Sequence, residues 1–220
     1  MKPWRRIIGK HMLKVSSVFF PLLLYSFITS CAPLSTKYEQ YIGRAIFDIP
    51  NTYKPDEVVD GIYNAIAWRS SNLQKFQKLF PDELPDKPGV PKMGSKEVGL
   101  GVYSIQFATV DCGENVWVSM TGQENELRSP YGTTDAGIYK VCIYPYKDGY
   151  RVYIFGIYTY SESTSIGGII ASGIKKVVMS GLCQGDSVYN CWFEQIVDRV
   201  KKKFSDAQLV KLDLPQPKSN

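Results

Sequence analysis

The sequence predicts an α+β domain: an antiparallel sheet of about five to six strands with helices packed mainly on one face, in the order β-α(α)-β-β-β-β-α-α-β. Three observations carry this. Apolar residues recur at helical spacing near both ends of the chain. From residue 98 the apolar period changes to two. Asp148-Gly149 then separates two strand-like runs, Ile138–Tyr146 and Tyr150–Tyr160, a strong hairpin signal. A length of 220 residues suits one such domain with appendages.

Ala45–Pro50 reads as a short strand. Pro55 opens a helix with Asp56 and Glu57 in its first turn, where acids favour the dipole. Val58, Ile62, Ala65 and Ile66 form its apolar stripe. Ser70-Ser71-Asn72 reads as the cap of a second helix carrying Leu73, Phe76, Leu79 and Phe80. Pro81, Pro85, Pro88 and Pro91, with Gly89 and Gly94, mark a long surface loop. Val102–Val110 and Val116–Met120 are the next strands, and Gly122–Gly137 is a polar turn region. The hairpin follows. Ile166–Met179 reads as a helix rich in small residues, and Cys191–Phe204 as another with Phe193, Ile196, Val197 and Val200 on one stripe. Leu209–Leu214 closes as a strand.

A turn centred on Asp148-Gly149 places Lys147 opposite Tyr150. One hairpin face then carries Tyr139, Val141, Ile143, Val152, Ile154, Gly156 and Tyr158, the better core face. The other carries Cys142, Tyr144, Tyr146, Arg151, Tyr153, Phe155 and Ile157. Tyr144, Tyr146, Arg151, Tyr153 and Phe155 have the composition of an interface, and they are the candidate binding surface.

The N-terminus has a different character. Residues 1–14 are basic, with Lys2, Arg5, Arg6, Lys10 and Lys14, and residues 15–28 are mostly apolar. A basic region, a short apolar core and small residues make a secretory signal peptide. Fourteen residues of helix span about 21 Å, too short for a bilayer core. Ile28-Thr29-Ser30-Cys31 resembles the lipobox of bacterial lipoproteins. The resemblance covers the leader alone. It implies cleavage after Ser30 and lipidation of Cys31, with two or three acyl chains that anchor stably. It also implies the outer membrane, facing the periplasm, because Ala32 is not the aspartate associated with inner-membrane retention; an inner-membrane anchor is the alternative. Arg5-Arg6 partly resembles a twin-arginine export motif but lacks a preceding Ser or Thr. Met12 offers an alternative start with a more compact leader. The expected organisation is a leader over 1–30, a lipidated tether over 31–44, a domain over 45–214 and a tail over 215–220.

Once the leader is set aside, Cys112, Cys142, Cys183 and Cys191 remain beside Cys31. An even number in an oxidising compartment predicts two disulfides, and three connectivities exist. Cys183–Cys191 is favoured because it closes the short loop CQGDSVYNC. Cys112–Cys142 is its complement.

Charge and histidine limit the chemistry. Residues 1–30 hold five of the 26 Lys and Arg and none of the 21 acids, so 26 − 5 = 21 bases face 21 acids from Cys31 onward. A neutral domain lacks the basic stripe that nucleic acid demands. The one histidine is His11, in the leader. A mature chain without histidine excludes Ser-His-Asp and Cys-His catalysis and zinc sites built on histidine. No metal and no cofactor is expected, since GxGxxG and GxxxxGK[ST] are absent. Ser172-Gly173-Ile174-Lys175 fits the S-x-x-K nucleophile pattern, but no S-D-N or K-T-G follows. Asp48, Asp111, Glu114, Glu124, Glu126, Asp135 and Glu162 could supply a carboxylate pair. The reading is therefore a lipid-anchored envelope protein that binds another envelope protein and is not an enzyme. The alternative is a small envelope hydrolase using carboxylates or Ser172–Lys175.

Overall fold

The computed structural model describes residues 36–100, 103–124, 136–163 and 188–217. These form β1 (Thr36–Pro50), α1 (Pro55–Ala67), β2 (Ser70–Gln77), β3 (Lys92–Leu100), β4 (Tyr103–Asp111), β5 (Val118–Glu124), β6 (Ala136–Tyr146), β7 (Gly149–Ser163), α2 (Val188–Lys203) and β8 (Gln208–Pro217). Six strands make one antiparallel sheet in the order β2-β5-β6-β7-β1-β8, while β3 and β4 form a separate two-stranded ribbon. The class is α+β, with the sheet larger and the first helical region smaller than the sequence suggests.

Both described helices pack on one face of the sheet. Pro55 stands at the start of α1 with Asp56 and Glu57 behind it, and Val58, Val59, Ile62, Ala65 and Ile66 are buried. On α2, Tyr189, Trp192, Phe193, Ile196, Val197 and Val200 recur at three- and four-residue steps and are all buried. Beneath them lie Ala45, Phe47 and Ile49 of β1, Tyr139, Val141 and Ile143 of β6, and Val152, Ile154 and Tyr158 of β7. Gly43 and Gly156 face each other across β1 and β7. A Cβ on Gly156 would stand 2.9 Å from the Phe193 ring and one on Gly43 3.2 Å from it, so the two glycines make a notch that receives Phe193.

The opposite face carries a second core. Ile46, Cys142, Tyr144, Tyr153 and Phe155 of the sheet pack with Cys112 and Val116, which follow β4, and with Val110. The Cys112–Cys142 disulfide fastens the end of β4 to the middle of β6, with Cα atoms 5.6 Å apart.

Three sequence expectations need correction. Residues 70–77 are strand, not helix: they pair antiparallel with β5, and Asn72 takes a positive φ of 53° where the register shifts between Ser71 and Gln74. The irregularity breaks the alternation that would have marked a strand. The first strand starts at Thr36, so residues 36–44 belong to the sheet and are not tether; β8 likewise extends past Leu214 to Pro217. The β6–β7 turn residues are Lys147 and Asp148, with Tyr146 opposite Gly149 and Pro145 opposite Tyr150. That register is two residues from the expected one, so every side chain keeps its face. Gly149 serves β1: its φ is +147°, and a Cβ there would lie 2.1 Å from the Ile49 carbonyl oxygen. The predicted helix 166–179 lies outside the described residues.

Candidate functional site

The aromatic interface predicted on the second sheet face is not a surface. Tyr144, Tyr146, Tyr153 and Phe155 are buried, and Arg151 is largely covered. Tyr144 and Tyr153 meet edge to face at 5.7 Å, and the Tyr144 hydroxyl donates to the Cys112 carbonyl at 2.5 Å. Arg151 grips Asp48 with two hydrogen bonds, Nε to Oδ1 and Nη2 to Oδ2 at 2.8 Å. Burial pushes the Tyr144 hydroxyl above its ordinary range. Hydrogen bonding to Asp48 holds the Arg151 charge more firmly than usual. The expectation fails because long-range contacts, above all the segment held by Cys112, cover the face. One sequence signal pointed that way: Cys142 shares this face with Tyr144, so its disulfide partner had to lie over it.

The surface that remains open is elsewhere. The segment between β2 and β3 forms one wall of a groove of about 660 Å³. Residues 114–117 and Tyr144–Pro145 form the other. Local chemistry fixes this wall. Lys78 N–H donates to the Trp117 carbonyl at 2.9 Å, and Trp117 Nε1 donates back to the Lys78 carbonyl at 3.1 Å. Phe80 packs edge-on against Trp117 at 5.0 Å. Lys147 N–H donates to the Pro85 carbonyl at 3.1 Å, and the Lys147 ammonium pairs with Asp86 at 2.5 Å. A Cβ on Gly89 would fall 2.4 Å from the Tyr144 ring, so that backbone lies directly on the aromatic. Leu79 is nevertheless 94% exposed and Val90 72% exposed. Lys78 and Lys87 face Glu83 and Glu114 around the rim, so its formal charges balance.

A second cluster lies within the main core. Arg69 and Glu124 form an ion pair at 3.1 Å, with side chains 5% and 0% exposed. The Tyr139 hydroxyl donates to Glu124 Oε2, and the Tyr158 hydroxyl donates to Tyr139 at 3.2 Å. The Arg69 guanidinium lies 4.4 Å over the Trp192 ring and 5.2 Å over Trp68, whose ring also receives Arg199 at 4.1 Å. Burial, reinforced by Tyr158 and Glu124, pushes the Tyr139 hydroxyl far up, so it stays a neutral donor. The cluster knits the turn between α1 and β2, through Arg69, to β5, β6, β7 and α2. The sequence offers Glu124 only as one of seven candidate carboxylates; Arg69 and the pairing were missed, because nothing local links residues 55 positions apart.

The other predicted residues fall as follows. Cys112–Cys142 is formed, and Cys191 is also disulfide-bonded. Its predicted partner Cys183 lies outside the described residues, as do Cys31, Ser172, Lys175, Glu126 and Asp135. Asp48 and Glu124 stand on opposite sheet faces, each held by an arginine, while Asp111 Oδ1 accepts from Gly113 N–H at 2.8 Å. Glu114 lies on the groove, and Glu162 is on β7. Among the described residues no cluster of His, Cys, Asp and Glu could hold a metal.

Fold and groove together define a class: a disulfide-stapled antiparallel α+β domain with an ordered, proline-containing ledge. Comparison goes no further, since no family model matches the chain and no curated protein matches it.

Proposed function

We propose that the protein is a lipid-anchored component of the bacterial envelope, held by Cys31 at the outer membrane and acting by binding another envelope protein rather than by catalysis. The anchor rests on the lipobox-like Ile28–Cys31 stretch behind its basic and apolar leader. With β1 starting at Thr36, only Ala32–Ser35 separate Cys31 from the sheet, so the five steps from Cys31 to Thr36 reach at most about 18 Å when extended. Among the described residues no helix is long and apolar enough to cross a membrane.

The observation that carries the binding reading is the ledge of residues 78–91. It is fixed by hydrogen bonds and ring packing, yet presents Leu79 and Val90 to solvent. It lies at the Pro50–Gly149 end of the sheet, whereas the chain enters at the Thr36–Ser163 end, about 45 Å away along β1. The groove in this reading faces away from the bilayer. A photoreactive benzophenone amino acid at Leu79 in intact cells tests it, with exposed Lys202 of α2 as the control position. A specific adduct at 79 and none at 202 is expected. No adduct at 79, or the same adducts at both positions, would refute it.

A further inference from the structure

We infer that the ledge and its groove dock an extended polypeptide of low net charge from another protein, with an apolar side chain entering beside Leu79. The inference rests on the binding reading above and does not depend on the anchor.

Four features of the site select this occupant. First, the ledge is pre-organised. Pro81, Pro85, Pro88 and Pro91 each fix a backbone φ, and Phe80 adds Tyr150 at 6.4 Å to its contact with Trp117. A segment already held in one conformation pays little ordering entropy when it binds. Second, its backbone is mostly unused. Between Leu79 and Pro91, one backbone–backbone hydrogen bond joins the ledge to the rest of the described chain, through the Pro85 carbonyl. The ledge bends at residues 82–83 and 86–87 and its four prolines lack N–H groups, so what it offers a partner's backbone is chiefly carbonyl acceptors beside the exposed Leu79 and Val90.

Third, the charge balance of the rim matches a partner without strong charge. Lys78 and Lys87 offset Glu83 and Glu114, and the Lys78 ammonium already donates to the Glu114 carbonyl. A nucleic acid or anionic lipid surface wants a cationic excess, which the rim lacks. Fourth, the floor offers no ring face. Trp117 and Tyr144 line the groove but are 3% and 2% exposed, so neither presents a face for stacking a base or a sugar; Phe80, 38% exposed on the ledge, lies outside the lining and packs edge-on against Trp117. Apolar side chains and backbone hydrogen bonds are what remain, and a polypeptide supplies both.

The test uses the full-length chain in detergent and a phage-displayed library of random peptides. Enriched peptides are expected to carry low net charge and at least one large apolar residue. A synthetic peptide made from them should protect ledge amides from hydrogen exchange. Its affinity should fall at least about tenfold with Leu79→Asp and with Val90→Asp. Both side chains are exposed, so the thermal midpoints of the variants should match that of the parent chain. No enrichment, strongly anionic winners, or binding insensitive to both variants would overturn the inference. A parent dimer that Leu79→Asp makes monomeric would also overturn it, by assigning the groove to a second copy. An adduct at position 79 in cells without peptide enrichment would keep the binding surface and reject this class of occupant.

Discussion

Arg69 and Glu124 show how far a single residue can depart from what its type suggests. Both are charged, both are almost fully buried, and each meets the other and a ring or hydroxyl. Removing one partner strands the other charge in the core. Glu124→Gln or Arg69→Met should therefore cost about 3 to 5 kcal/mol in urea unfolding. The double variant should cost clearly less than the sum, because the pair leaves together. Additive losses would mean the two side chains do not depend on one another. Gly149 makes a second claim at this scale. Alanine there meets the Ile49 carbonyl and a left-handed φ, so Gly149→Ala should destabilise by about 2 kcal/mol or more. Gly113 also has a positive φ, 69°, but has open space around its missing Cβ. Asparagine tolerates that region, so Gly113→Asn should stay within about 0.5 kcal/mol. Chemical denaturation of the two variants checks the contrast.

Elements were legible where their pattern is regular. α1, α2 and the β6–β7 hairpin declare themselves through spacing and Asp148-Gly149, and even the misplaced turn leaves each hairpin side chain on its predicted face. β2 was not legible. Leu73, Phe76 and Phe80 mimic helical spacing, while the kink at Asn72 hides the alternation and β5 supplies the hydrogen bonds. The predicted interface was misjudged for a different reason. Alternation tells which residues share a face, but whether that face is covered depends on β4, distant in sequence. The disulfide decides that coverage. Replacing Cys112 and Cys142 together by serine should cost about 3 kcal/mol, since the bridge spans a sequence separation of 30. Proteolysis should then cut first within residues 106–117, the segment the bridge holds down. Unchanged stability and an unchanged first cut would show that packing alone keeps the segment in place.

For the molecule as a whole, tyrosine sets the response to pH. Tyr139, Tyr144, Tyr146, Tyr150 and Tyr158 all have hydroxyl pKa values raised, with burial the largest cause for each. The folded state holds these protons more tightly than the unfolded chain. Their contribution is therefore complete below an ordinary tyrosine pKa of about 10 and is lost as pH climbs above it. Lys140 opposes this, since burial lowers its pKa and its share of stability grows as pH rises, but it is one group against five. The thermal midpoint should fall steeply above about pH 10, and phenolate absorbance should rise as the chain unfolds. A flat midpoint through that range would contradict the burial of these rings.

At the same scale, the prolines of the ledge could be read in the sequence as a loop. The groove could not, because its other wall comes from residues 114–117 and 144–145. The proposed anchor, by contrast, rests entirely on a local motif. Mass spectrometry of the membrane-extracted protein tests it most directly. The predicted N-terminal peptide begins at Cys31 and carries a thioether-linked diacylglycerol. An unmodified peptide running through Ser30 and Cys31 would contradict the anchor and the membrane-tethered role built on it.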